Sequence, residues 1–219
     1  MFAAVALLAH AAWPQARPPL RPFETAAPIP YFIAEGNAGS GFLPGDRELA
    51  EWALDAWRRT APERLHLEPA VETDARIRVF WAPPASGQYG ETLTFLLNGL
   101  RGAAIFVHPD MEALGANIAR RTAGDPLLRD AIVYLTCLHE LGHAFGLEHT
   151  ADFADIMYSF QFGGDIVEYF GRYRRQVGTR DEIARTSGLS PGDEARFRAL
   201  YAPQAARLLP GVGVLGALR

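Results

Sequence analysis

The chain has 219 residues, 49% of them hydrophobic and 21% charged, with a formal net charge of -4 and one cysteine. That composition supports one sizeable core, or two small lobes around a cleft, and its mild acidity gives no electrostatic reason to expect nucleic acid or an anionic membrane as partner. A lone Cys137 excludes an internal disulfide and a cysteine-rich zinc module, so packing must hold the core together.

Residues 1–12 begin with an apolar run, Phe2 to Ala9, and carry small residues at Ala9 and Ala11. They read as a short secretory signal with an A-x-A cleavage site, although a basic n-region is lacking. The run is too short to span a bilayer. The expectation is therefore export without stable membrane insertion, and a cytoplasmic place if Met1 does not begin a signal. Residues 13–29 hold Pro14, Pro18, Pro19, Pro22 and Pro28, which exclude helix interior and central strand, so they read as a proline-rich linker or short pro-segment.

The folded domain is expected over 30–202, followed by an apolar tail at 203–219. PYFIAE (30–35) suits a strand that Gly36 to Gly41 ends. Asp46 stands where an N-cap would start a helix over 47–60, with Leu49, Trp52, Ala53, Ala56 and Trp57 on one stripe. LHLEPAV (65–71), ARIRVFWA (75–82), ETLTFLL (91–97) and GAAIFVHP (102–109) read as four more strands of one sheet.

Asp125 and Pro126 then open a second helix as N-cap and first residue, and Leu128, Ile132 and Leu135 lead along one face to His139 and His143. Histidines at i and i+4 project side by side, close enough to hold one zinc ion at about 2.0–2.1 Å. Gly142 keeps the space between them open. A third ligand six residues on cannot come from the same face of a continuing helix, so Gly146 must end and turn the chain to bring His149 back. Glu140 is then placed to take a proton from a water in the open fourth position. Cys137 reads as a small core residue on the far side of the helix, and His10, His66 and His108 as surface or strand residues.

HELGHAFGLEH (139–149) resembles the HExxHxxGxxH pattern of the metzincin zinc peptidases at all five defining positions, and Met157 in DIMY fits their Met-turn. Within that group the chain is most similar to the matrixins. MY follows the third histidine at short range, LSPGDEARFRALYA (189–202) resembles the matrixin closing helix, and the strand, helix, strand order from Tyr31 to Trp81 is similar. The resemblance implies an α+β fold: a twisted five-stranded mixed sheet with two long helices, an active-site cleft, and a small C-terminal subdomain with a closing helix. It implies one catalytic Zn²⁺ on His139, His143 and His149, with Glu140 as general base and Gly146 and Met157 supporting the site. The substrate would be a protein or peptide, laid extended along the edge strand near 91–97.

Three departures limit the likeness. Matrixins carry a structural zinc and calcium sites on an Asp- and Gly-rich loop with further histidines; 83–100 lacks that loop although His108 stands in IFVHPD, so neither ion is expected. The link from Tyr158 to Leu189 is longer, and Ile166, Val167, Phe170, Tyr173 and Val177 suggest a helix in it. In the family this link borders the primed-side pocket, which would bring Phe160, Phe162 or Tyr169 to its wall, with packing of the insert as the plainer role; Arg172, Arg174, Arg175 and Arg180 read as a solvated face. No cysteine precedes Cys137 to silence the metal as matrixin pro-segments do. Two other classes share the motif's chemistry: a zinc-stabilised peptide-binding pseudo-enzyme, and a zinc hydrolase of a non-protein amide. The presence of Glu140 speaks against the first.

Overall fold

The computed structural model describes residues 20–36, 39–83 and 89–203. Its elements run β1 (Ile29–Ile33), α1 (Asp46–Thr60), β2 (Leu67–Pro69), β3 (Ile77–Trp81), β4 (Gly90–Leu97), β5 (Leu100–Val107), α2 (Ala116–Gly124), α3 (Pro126–Phe145), α4 (Ile166–Arg174), α5 (Arg180–Ile183) and α6 (Pro191–Leu200). The signal-like segment, residues 13–19, His10, and the tail beyond Pro203 lie outside the described residues.

The strands form one sheet in the order β2-β1-β3-β5-β4. All neighbours pair parallel except β4, which runs antiparallel to β5. Its reversal sits in Asn98 and Gly99, whose φ angles of 52° and 78° are the paired left-handed values of a tight hairpin. The expected mixed five-stranded α+β sheet is therefore present, with β4 at one edge and β2 at the other. Alternation works in β3, where Ile77, Val79 and Trp81 are buried while Arg78 and Phe80 are half-buried.

The two long helices pack on each other through Trp57, whose Nε1 donates to the Leu138 carbonyl at 2.9 Å. Phe145 and Phe197 complete an aromatic cluster, with ring centroids of Trp57 and Phe197 4.8 Å apart and of Phe145 and Phe197 5.6 Å apart. Each such ring, fully buried, contributes about 1.5–3 kcal/mol. The cluster joins α1, α3 and the closing helix α6.

Four expectations change. Asp46 is the first residue of α1 and not its cap, which is Gly45. Its carboxylate instead accepts from Leu43 N at 2.8 Å and pairs with Arg129 of α3 in the interior. The short helix α2 was not foreseen, because Ile118 is the one strongly apolar residue among its nine and the other buried position, one turn on, is the polar Thr122. Residues 20–28, read as part of a linker, pack on the body: Phe23 is 4% exposed, its ring lies 6.1 Å from Phe145, and its N–H donates to Tyr201 Oη at 3.2 Å. Prolines forbid regular structure there, not burial.

The fourth change concerns the arginines of the insert. α4 forms as expected and Val177 lies beyond its end, but the guanidiniums mostly face protein. Arg172 stacks 4.4 Å from the Tyr169 ring and donates to the Ala154 carbonyl at 3.0 Å. Arg174 grips Asp125 at 2.9 Å, and Arg180 donates to the Gly45 carbonyl at 2.6 Å. Only Arg175, paired with Glu168, has the solvated place expected of all four. Loop carbonyls on the body supplied acceptors that a charge pattern does not reveal. Among the described residues no helix is long and apolar enough to cross a membrane.

Candidate metal centre

α3 carries the site because both of its ends are specified locally. Asp125 Oδ1 accepts from Leu128 N at 3.1 Å, with Pro126 next in line. At the other end Gly146 adopts φ 104°, ψ 11°, and Leu147 N and Gly146 N return to the carbonyls of Gly142 and His143, both at 2.9 Å. This is a Schellman closure, which glycine accepts without Cβ strain. A Cβ at Gly146 would also stand 2.6 Å from the Arg21 carbonyl carbon. The turn sends the chain back and brings His149 to the two helical histidines.

The three imidazoles converge. His149 Nε2 lies 3.3 Å from His139 Nε2 and 3.1 Å from His143 Nε2. The opposite ring nitrogens are committed: His139 Nδ1 meets the Ile156 carbonyl at 2.6 Å and His143 Nδ1 meets the Leu147 carbonyl at 2.9 Å. A carbonyl only accepts, so each Nδ1 carries the proton and each Nε2 presents a lone pair. Burial pushes both His139 and His143 down to about 4, and it lowers His149 as well, so neutral imidazoles face one another at neutral pH. Lone pairs so close repel unless a cation lies between them. A tetrahedral shell with bonds of about 2.0–2.1 Å separates its ligand nitrogens by about 3.3 Å. The donor set fits a metal ion, and the ligand atoms of these three histidines all lie within 4.8 Å of one another.

Met157 is fully buried. A Cβ on Gly142 would stand 2.3 Å from the Met157 sulfur and 3.2 Å from the Trp57 ring, so Gly142 makes room for these side chains and not simply for the ligands. The Met157 segment is tied down from afar. Thr150 N donates to the Met157 carbonyl at 2.8 Å, Asp193 Oδ2 of α6 accepts from Ile156 N at 2.7 Å, and Tyr169 Oη donates to the Ile156 carbonyl at 3.0 Å. That carbonyl also orients His139, so α6 and α4 reach the ligand through one residue, Ile156.

Asp155, in the same turn, accepts from Ser190 Oγ, from Thr150 Oγ1 at 2.9 Å and from Arg196 at 2.7 Å. Burial works to raise its pKa, but these donors outweigh it and the net shift is downward. A lowered folded-state value contributes stability that is complete above the ordinary carboxylate pKa of about 3.9 and lost as pH falls through the folded value. Urea unfolding between pH 6 and pH 2 should therefore show a shallower acid loss for Asp155→Asn than for wild type. Identical slopes would assign the acid loss to other carboxylates.

Glu140 lies 5% exposed beside the triad. Burial raises its pKa, against the pull of His143 and of Thr92, whose Oγ1 lies 2.8 Å from Glu140 Oε2. The triad and Glu140 line a cleft of about 800 Å³ bordered by the start of β4. Across the cleft the Tyr89 ring meets Phe160 and Phe170, with centroids 6.3 and 5.9 Å apart. Phe160 and Tyr169 line this space, although packing of the insert was the plainer role expected of them; Phe162, 56% exposed, is not among the lining residues.

His108 is buried with Nδ1 held 2.6 Å from the Pro83 carbonyl, His66 is exposed, and Cys137 is buried in the core. Sequence reasoning missed Thr92, Asp155 and Asp193. Only Asp193 left a trace, since Ser190 and Asp193 form a capping box at the start of α6. Among known proteins, no family model matches the chain, and no curated protein matches it in sequence.

Proposed function

We propose that the protein is a zinc-dependent endopeptidase of the metzincin kind, similar to the matrixins. The observation that carries this reading is the convergence of three neutral imidazoles, with His149 Nε2 within 3.3 Å of the other two Nε2 atoms, beside a buried carboxylate at the wall of a cleft. His139, His143 and His149 would hold the ion. A zinc ion bound there supplies Lewis acidity, which acidifies a coordinated water and polarises a carbonyl. Glu140 takes the proton of the attacking water and hands it to the departing amine. Gly146 and Met157 keep the ligands in register.

The substrate is a protein or peptide. β4 is one edge of the sheet, paired among the described residues with β5 alone, and an extended peptide would add main-chain hydrogen bonds along its other side. A nucleic-acid partner has no support in the charge, and the reading includes export of the protein.

Elemental analysis should find one zinc per chain. Losing a residue that merely orients a ligand costs about 10- to 100-fold in metal affinity, so His149→Ala, which removes a ligand, should cost more. Zinc retention equal to wild type would sink the three-histidine assignment, and two ions per chain would place a second site elsewhere. Mass spectrometry of a mixed peptide digest tests the reaction: cleavage that chelator abolishes and zinc restores is expected. No cut in any peptide, with zinc bound, would leave the pseudo-enzyme or the hydrolase of a non-protein amide.

A further inference from the structure

A general base works only if its carboxylate is held where the proton will be, and α3 fixes just the Glu140 backbone. What meets the carboxylate is β4. Thr92 Oγ1 stands 2.8 Å from Glu140 Oε2 and 2.9 Å from the Glu140 carbonyl. The hydroxyl has one hydrogen to give, and a carboxylate is the stronger acceptor. Gly90, two residues earlier and so on the same face of the strand, abuts the other side: a Cβ there would lie 2.6 Å from Glu140 Cγ and 2.7 Å from Oε1. Among the described residues Oε1 accepts no hydrogen bond.

We propose that Thr92 is the positioning residue for Glu140, selecting the rotamer in which Oε2 is tied to the edge strand and Oε1 is the oxygen that takes the proton. The inference rests on the hydrolase reading. It adds that the strand along which the peptide is laid also sets the base, so substrate and base share one rigid reference. Without the donor a carboxylate on three rotatable bonds loses its fixed direction, and a misplacement of about 1 Å costs about a hundredfold in rate.

Thr92→Val keeps the branched shape and removes the donor; Thr92→Ser keeps the donor. With a peptide that wild type cleaves, Thr92→Val should bind zinc normally, hold KM within about twofold and lose about ten- to a hundredfold in kcat, and Thr92→Ser should recover most of it. Crystal structures of the metal-free proteins give a reading independent of activity. Glu140 should leave its rotamer in Thr92→Val and keep it in Thr92→Ser. Should the valine variant not fold, Thr92→Ala removes the same donor. Wild-type kcat and an unmoved Glu140 in the valine variant would overturn the assignment, as would a serine variant no better than valine. If wild type cleaves nothing, the hydrolase reading fails while the crystal structures still decide what Thr92 does to Glu140.

Discussion

Glu140→Gln is expected to keep the zinc and the fold while losing about a hundred- to ten-thousandfold in kcat/KM, roughly 3 to 5 kcal/mol of barrier. The carboxylate follows His139 directly on α3 but is tied to Thr92 at 2.8 Å and is not one of the converging ligands. Glutamine has nearly the same shape, and its carbonyl oxygen can still accept from Thr92, so packing at the wall of the cleft should survive. What it cannot do is accept the proton of the attacking water. The comparison is made at equal zinc occupancy, with peptide products identified by mass spectrometry. Equal cleavage by both proteins would place the activity in another residue or a contaminant, and loss of zinc together with activity would mean that Glu140 serves the metal and not the proton.

Asp46→Ala should be the most destabilising of the substitutions considered, by up to about 3–5 kcal/mol, because it leaves the interior Arg129 with Asp130, 3.7 Å away, as its remaining carboxylate partner. Side chains of Asp46 and Arg129 are 1% and 10% exposed. Arg129 Nη2 donates to Asp46 Oδ2 at 2.7 Å and to the Gly41 carbonyl at 3.1 Å, while Asp46 Oδ2 also accepts from Leu43 N at 2.8 Å. The pair thus joins the start of α1 to α3 and to the loop before α1. Domains are stable by about 5–15 kcal/mol in total, so the loss is a large fraction. Replacing both partners, as Asp46→Leu with Arg129→Met, should cost less than Asp46→Ala, since no lone charge remains. Urea denaturation decides it, and a double variant as unstable as the single would show that the cost is lost packing and not an orphaned charge.

The candidate ligands could be read from the sequence because their geometry is local. Histidines four apart on a helix share a face at any place in any fold, and a glycine that ends the helix brings the next histidine back within a few residues. The strands were legible for a similar reason, as in β3, where alternation records which side chains face the core. α2 was not, because one strongly apolar residue, Ile118, in nine makes too faint a stripe. The arginines of the insert were misread because a charge pattern says nothing about which carbonyls will lie beneath it.

The sequence by itself determined the donor set, its spacing, the carboxylate beside it and the strands and two long helices that carry them, all of which follow from backbone periods of a few residues. Only the tertiary structure decided what holds these groups in place. Asp193 reaches Ile156 N across 37 residues, Thr92 reaches Glu140 across 48, and Phe23 reaches Tyr201 across 178. Such contacts depend on which surfaces meet when the sheet, α3 and the closing helix pack together. A threonine with one hydroxyl or an aspartate with one carboxylate looks the same in the chain whether it faces water or another polar group, and only the packing of distant segments makes the difference.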